Sequence, residues 1–189
     1  MKKKLAGIAE LVGQDVMVRL NRKPIDNFSL DGFVVGFSDK LLCLHVVDGK
    51  TLMLNGYSIV RLSDIHSYRV DEAAFIDRAL RLLGRVPIAP DGFDLSGWGL
   101  LLSSVQPRYS LVSISTEKDA SRCLFIGRLV KHTKRSVVIE AVDVGGHWEG
   151  QQEFAYKDIT MLDLGDGYVN ALAAVMADED TLFRPETRG

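Results

Sequence analysis

The chain has 189 residues, of which 47% are hydrophobic and 25% are charged, and these are the proportions of an ordinary globular protein. The formal net charge is −2 at pH 7, so the chain lacks the basic excess with which nucleic-acid-binding domains usually neutralise phosphates. This composition excludes disordered and fibrous classes and counts against a protein that binds nucleic acid mainly through charge.

The N-terminal lysine cluster and the apolar stretch after it superficially suggest a signal peptide. Glu10 interrupts that stretch, and no run approaches the roughly eighteen apolar residues of a membrane helix. The two cysteines, Cys43 and Cys123, lie in or beside apolar runs and are expected to be free thiols. We therefore expect a cytoplasmic protein with no membrane contact.

The first unit is predicted over residues 1–84, beginning with a short amphipathic helix and ending with a longer one that stops at Gly84. Short apolar runs between these helices, broken by Asn, Asp and Gly, predict antiparallel strands joined by tight turns. Residues 85–95 are rich in Pro and Gly and are predicted to form a connector.

The second unit is predicted over residues 96–177. Its opening helix has an apolar face that includes Trp98, and Ser96 is its expected N-cap. Strand patterns and a closing helix follow in the same order as in the first unit. Residues 178–189 are polar and are predicted to form a flexible tail.

Two stretches carry nearly the same pattern, DGFVVGFSDKLLCLHVVD at 31–48 and IGRLVKHTKRSVVIEAVD at 126–143. Each alternates apolar residues up to a polar turn, continues with a second apolar run and ends on an aspartate, and Gly32 aligns with Gly127. Matches continue on both sides at a nearly constant offset. This order indicates a duplicated unit.

Five short strands in each unit would form a sheet too small to remain open, and closing it removes the exposed edges. We therefore predict a mainly β protein with two tandem five-stranded antiparallel small β-barrels. Each barrel is expected to have an N-terminal and a C-terminal helix.

The stretches 30–44 and 126–139 resemble the Sm-like small barrel shared by Sm proteins and the bacterial Hfq family. Residues 156–160, YKDIT, are similar to the aromatic-Lys-x-x-Ile-Ser stretch of Hfq. The whole layout resembles a group of bacterial proteins that contain two tandem Sm-like barrels. This resemblance implies a fold and no known activity.

The base pocket of Sm proteins uses an Asp and an Asn that follow the first glycine of the motif. The resemblance places Ser38 and Leu42 at these positions in the first unit, and Thr133 and Val137 in the second. Leucine and valine cannot hydrogen-bond the edge of a base. Sm-type RNA recognition by this pocket is therefore not expected.

The candidate binding residues are a basic cluster at the second polar turn and a tryptophan beside two glycines: Arg128, Lys131, His132, Lys134, Arg135 and Trp148. Such residues suit contact with an acidic partner or a nucleic-acid backbone. The alternative is a solvated hairpin turn whose charges keep a sheet edge soluble. Trp98 is predicted to pack in the core or between the barrels.

Aspartates recur at equivalent corners of the two units, Asp48 with Asp143 and Asp64 with Asp158, which raises the question of paired-carboxylate catalysis. An aspartate after a strand commonly accepts hydrogen bonds from turn amides, so structural roles are favoured. The histidines lack metal-ligand spacing, and no nucleophile elbow or phosphate loop is present. No catalytic residue, metal site or cofactor is expected.

The leading hypothesis is a non-enzymatic interaction or scaffold protein, a monomer or homodimer, that binds a protein partner. One alternative is weak binding of RNA or single-stranded nucleic acid through the 128–135 cluster and Trp148. Another is an enzyme with a composite site between the two barrels.

Overall fold

The computed structural model describes residues 5–70, 75–117 and 123–182, which form one antiparallel sheet with helices packed against it. The strands are β1 (Met17–Asn21), β2 (Ser29–Phe37), β3 (Leu41–Asp48), β4 (Met53–Arg61), β5 (Ser67–Val70), β6 (Val112–Thr116), β7 (Cys123–His132), β8 (Ser136–Val142), β9 (Trp148–Ala155) and β10 (Met161–Leu164). The helices are α1 (Phe75–Leu82), α2 (Trp98–Val105) and α3 (Gly167–Leu182). Within these ranges, no helix has the length and apolar character needed to cross a membrane.

The prediction of two closed barrels is wrong, because the ten strands form a single open sheet. Their order is β5-β1-β2-β3-β4-β10-β6-β7-β8-β9. β10 pairs with β4 from Tyr57↔Leu164 to Val60↔Met161, and it pairs with β6 on its other side. A strand of the second half therefore occupies the edge of β4 that closure of the first unit would have used. β5 and β9 each have one strand neighbour and end the sheet.

The prediction of an N-terminal and a C-terminal helix in each unit agrees with α1, α2 and α3 but is wrong about the start of the first unit. The first unit opens with a short 3-10 helix, Ile8–Leu11, in place of an α-helix. Gly7 and Gly13 flank this segment with φ angles of 86° and 74°, a left-handed conformation that bounds the helical segment. The N-cap of α2 is Gly97 and not Ser96.

Two sequence expectations fall partly outside the described residues. The flexible tail was predicted to begin at residue 178, but α3 extends to Leu182. Residues 183–189 of the predicted tail lie outside the described residues. Cys43 is a buried free thiol whose pKa is raised by burial, whereas the side chain of Cys123 is not described.

The two halves of the sheet repeat the same local structure. In both, the fifth strand lies beside the first, and the remaining strands follow in chain order. The pairing of β2 with β3 shifts register between Val34 and Gly36, and that of β7 with β8 shifts between Leu129 and Lys131. These positions coincide in the sequence alignment of the repeats, so the two hairpins bend at the same point.

The aligned glycines have a common structural reason. A Cβ atom at Gly32 would lie 2.5 Å from the carbonyl oxygen of His45, and one at Gly127 would lie 2.3 Å from that of Glu140. Both distances are far below van der Waals contact, and the obstructing atoms belong to the main chain. Each hairpin therefore requires glycine where its two strands approach most closely.

Buried and partly buried polar groups connect the two halves of the chain. Arg22, whose side chain is fully buried, donates two hydrogen bonds of 2.7 Å to the carboxylate of Glu117. Thr160 Oγ1 lies 2.8 Å from the same carboxylate. Ser58 Oγ on β4 donates to Asp163 Oδ1 on β10. These bonds hold the second half in register with the first.

The largest apolar cluster includes residues of both halves and of α2. Helix α2 contributes Trp98, Leu101, Leu102 and Val105, all of which are buried. Full burial of one such side chain stabilises the fold by about 1.5–3 kcal/mol. α2 is therefore fixed within the shared core, and this fixes the position of its N-terminal turn.

Candidate functional site

A groove of about 630 Å³ lies where the β2–β3 turn of one half and the β7–β8 turn of the other meet the start of α2. Lys40 lines it from the first turn, and His132, Thr133 and Lys134 line it from the second. Residues 96–100 at the start of α2 contribute further lining. Both halves of the chain therefore contribute to a single site.

The two turns that frame the groove are built in the same way. Ser38 Oγ and Thr133 Oγ1 each accept hydrogen bonds from the amides two and three residues later, at 2.9–3.1 Å. Such side-chain bonds fix a tight turn locally. They leave the side chains of Lys40 and Lys134 exposed beside the groove.

Helix α2 is attached to both turns. Ser38 Oγ lies 2.7 Å from the carbonyl oxygen of Leu95, just before the helix, and donates to it. In the other half, Ser103 Oγ is 3.1 Å from His132 Nε2, and the Tyr156 hydroxyl donates to a main-chain carbonyl of the β7–β8 turn at 3.1 Å. The bonds of Ser38 and Ser103 hold α2 beside the two turns, and the Tyr156 ring lies against Gly99 in the first turn of the helix.

Trp98, the first residue of α2, lines both the groove and an adjoining cavity of about 350 Å³. The residue is only 7% exposed, and its Nε1 is buried with no hydrogen-bond partner among the described residues. Arg61 and Asp39 also line the adjoining cavity. Arg61 Nε donates to the Asp64 carboxylate at 2.7 Å, whereas its Nη2 is buried without a described partner.

The charge at the groove is positive. Lys40 and Lys134 form no ion pair with a described residue, and the part of the lining that the structure describes contains no carboxylate. The first-turn amides of α2 have no side-chain cap, so the positive end of the helix dipole adds to the same field. The arrangement suits a negatively charged ligand.

The predicted cluster of binding residues is divided by the structure. His132 and Lys134 line the groove. Lys131 and Arg135 are exposed but are not among its lining residues. The end of β7 and the turn that follows it therefore bring only part of the cluster to the site.

Arg128 and Trp148 lie outside the groove and contact each other. The Arg128 guanidinium carbon is 4.4 Å from the centre of the Trp148 ring, and Arg128 Nε donates to Glu140 at 2.7 Å. Trp148 is half-buried beneath this contact. Its ring face is therefore already occupied by a cation.

Sequence reasoning missed Lys40, Tyr156 and the start of α2 as members of the site. Lys40 aligns with Arg135 in the repeat, which was the available signal that both turns carry a cation. The prediction that Trp98 packs in the core is confirmed by its burial, but the residue also lines the groove. The sequence GWG around Trp98 gives no indication of this second role.

Two of the four recurring aspartates, Asp48 and Asp143, accept hydrogen bonds from turn amides as predicted, whereas the Asp64 carboxylate accepts from Arg61 Nε. Asp48 Oδ1 accepts from the Lys50 amide at 2.8 Å, and Asp143 Oδ1 accepts from the amides of Gly145 and His147 at 2.8 and 2.9 Å. The bond from Lys50 lowers the pKa of Asp48, and the bond from His147 lowers that of Asp143. Hydrogen bonds to the ionised form account for both shifts.

No protein-family model matches the chain, and no curated protein matches it either. The fold and the groove therefore define its class by themselves. It is a mainly β protein whose two halves share one sheet and frame one positively charged groove.

Proposed function

We propose that this protein is a non-enzymatic interaction scaffold that holds an acidic segment of a partner protein in the groove. The observation that carries the proposal is the position of Lys40 and Lys134, which come from turns of different halves and line the same groove. Complementary charges of this kind make an interface specific and speed the association of the two partners. The apolar surfaces of Leu100 and Tyr156 supply contact area for the peptide.

A protein partner fits the groove better than single-stranded nucleic acid does, because proteins that bind single strands stack the bases on accessible aromatic rings. Trp98 is buried, and the ring of Trp148 is covered by Arg128. The Tyr156 ring lies 3.3 Å from the position that a Cβ atom would take at Gly99, so one of its surfaces packs against α2. Base stacking at these rings has no support.

A composite catalytic site also lacks support in the groove. The pKa of Asp163 is raised to about 6, but Asp163 lies at the junction of β4 and β10 and does not line the groove. Cys43 is buried in the shared core. The proposed scaffold acts in the cytoplasm, where a free thiol is the usual state of cysteine, as a monomer or homodimer.

Photo-crosslinking in cells tests the proposal. Leu100 lines the groove and is 54% exposed, so a p-benzoylphenylalanine at this position would contact an occupant. Val144, which is 91% exposed and lies outside the groove, is the matched control position. We expect a protein adduct from position 100 that is absent at position 144 and survives treatment with ribonuclease.

Charge reversal makes the test specific to the groove. The double variant Lys40→Glu with Lys134→Glu should abolish the adduct, whereas Lys23→Glu with Lys50→Glu changes two exposed lysines elsewhere and should preserve it. The proposal fails if both crosslinking positions give the same adducts, if none forms, or if ribonuclease removes the adduct.

A further inference from the structure

We infer that the N-terminal turn of α2 is an oxyanion site that takes a carboxylate or phosphate group from a side chain of the partner protein. The inference rests on the proposed function for the source of the anion. The site itself consists of the amides of residues 98–100, the indole N–H of Trp98, and the side chains of Lys40 and Lys134.

The amides provide the first part of the site. The first helical hydrogen bond of α2 runs from the Leu101 amide to the Gly97 carbonyl at 2.9 Å, so the amides of residues 98–100 precede the helical ladder. Gly97 provides no side-chain cap, and a Cβ atom built on it would meet no other atom within 4 Å. Open space therefore adjoins amides of the kind that bind anions at helix N-termini.

The indole of Trp98 is the second and independent observation. An indole N–H is a donor only, and buried indoles normally have an acceptor. Trp98 is more than nine-tenths buried and lines the groove, yet its Nε1 has no acceptor among the described residues. An anionic oxygen bound in the groove would supply that acceptor.

The surrounding charges favour an anion. Lys40 and Lys134 line the groove, and His132 is held there by its contact with Ser103. The one carboxylate among the described residues of the adjoining cavity is Asp39, which does not line the groove itself. An anion at the start of α2 would therefore have two lysines near it and no carboxylate among the described lining.

The test is a titration of ¹⁵N-labelled protein observed at its indole N–H resonances. The chain has two tryptophans, so Trp148→Phe assigns the resonance of Trp98. The probes are three blocked peptides of equal length that carry glutamate, phosphoserine or glutamine at the same positions. We expect the Trp98 resonance to shift and saturate with a glutamate or phosphoserine peptide but not with the glutamine peptide. The tighter of the two anionic probes identifies the source of the oxyanion.

Variants separate the site from general charge attraction. Lys40→Gln and Lys134→Gln should each weaken binding of the anionic peptide by about tenfold, the equivalent of losing one interaction with a charged group. Lys23→Gln with Lys50→Gln is the control and should leave the dissociation constant unchanged. Trp98→Phe should also weaken binding. If that variant fails to fold, the titration of the wild-type protein tests by itself whether the indole N–H contacts the anion.

A Trp98 resonance that stays fixed at saturating peptide overturns the inference, as does an equal shift with the glutamine peptide. A larger shift with oligouridylate than with either anionic peptide also overturns it, because the occupant would then be RNA. A crosslinked partner at Leu100 without a Trp98 shift would refute this inference alone. A saturable Trp98 shift without any crosslinked protein would refute the proposed function alone.

Discussion

Replacement of Asp163 by asparagine is expected to stabilise the protein at neutral pH. Asp163 lies in β10 between β4 and β6, and its Oδ1 accepts a hydrogen bond from Ser58 Oγ. Burial raises its pKa from 3.8 to about 6, against the opposing effect of the Ser58 bond. Repulsion from Asp166 and Glu117 adds to the rise, whereas the charge of Arg22 opposes it.

The sign of the effect follows from the direction of the shift. Because the pKa is higher in the folded protein than in the unfolded chain, the group destabilises the fold as it ionises. Its penalty is absent below about pH 4 and complete above about pH 6, where the difference between the folded and unfolded pKa values corresponds to about 3 kcal/mol. Asparagine keeps an acceptor for Ser58 but cannot ionise. We expect Asp163→Asn to raise the free energy of unfolding at pH 7 by about 3 kcal/mol, since only the wild-type carboxyl group carries the ionisation penalty.

Urea unfolding followed by circular dichroism measures this effect at several pH values between about 4 and 8. The difference between wild type and Asp163→Asn should grow from near zero at the acid end to its full value above about pH 6. Asp158→Asn removes an exposed carboxylate nearby and should change stability by less than about 0.5 kcal/mol. A difference that is independent of pH, or a variant that is less stable at pH 7, would show that ionisation of Asp163 does not destabilise the fold.

Three further changes test the fold. Gly127→Ala places a Cβ atom 2.3 Å from a main-chain oxygen of β8 and should cost about 2–3 kcal/mol in urea unfolding, whereas Gly167→Ala, with 3.5 Å to its nearest neighbour, should be nearly neutral. His45→Phe removes the acceptor that holds the Ile88 amide at 3.1 Å, so hydrogen exchange at Ile88 should accelerate, and unchanged exchange would contradict this contact. Arg22→Met leaves the partly buried Glu117 carboxylate without its cation and should cost about 2 kcal/mol, and a wild-type unfolding midpoint would contradict a stabilising role for that ion pair.

The sequence predicted the local parts of the fold because their causes are local. Ser38 and Thr133 mark turns that their own hydroxyl groups stabilise. Gly32 and Gly127 mark the close approach of neighbouring strands. Each of these signals lies within the hairpin that it specifies, so the repeated hairpins were recognised.

The continuous sheet could not be predicted in this way. Its decisive pairing joins Tyr57 of β4 to Leu164 of β10, which lies more than 100 residues later in the chain. β5 and β10 are both short, and no local pattern states which free edge either will occupy. A small sheet does need its exposed edges covered, but here β10 of the other half covers the edge of β4, so closure into a barrel is not required.

The groove was predicted only in part for a similar reason. His132 and Lys134 were found because they belong to a conspicuous basic stretch. Lys40 is a single cation in the other half, and Trp98 belongs to an apolar helix, so neither is recognisable until the shared sheet brings them together. Arg128 lies in the same basic stretch, but its contacts with Glu140 and Trp148 take it out of the site.

Competition between an anionic peptide and the native partner tests whether an acidic protein segment occupies the groove. The yield of the protein adduct from p-benzoylphenylalanine at Leu100 is measured in extract while the anionic peptide is added. We predict that the adduct decreases in proportion to peptide occupancy, as read from the Trp98 indole resonance, and that the glutamine peptide has no effect. An adduct yield that is unchanged at saturating anionic peptide would contradict the claim.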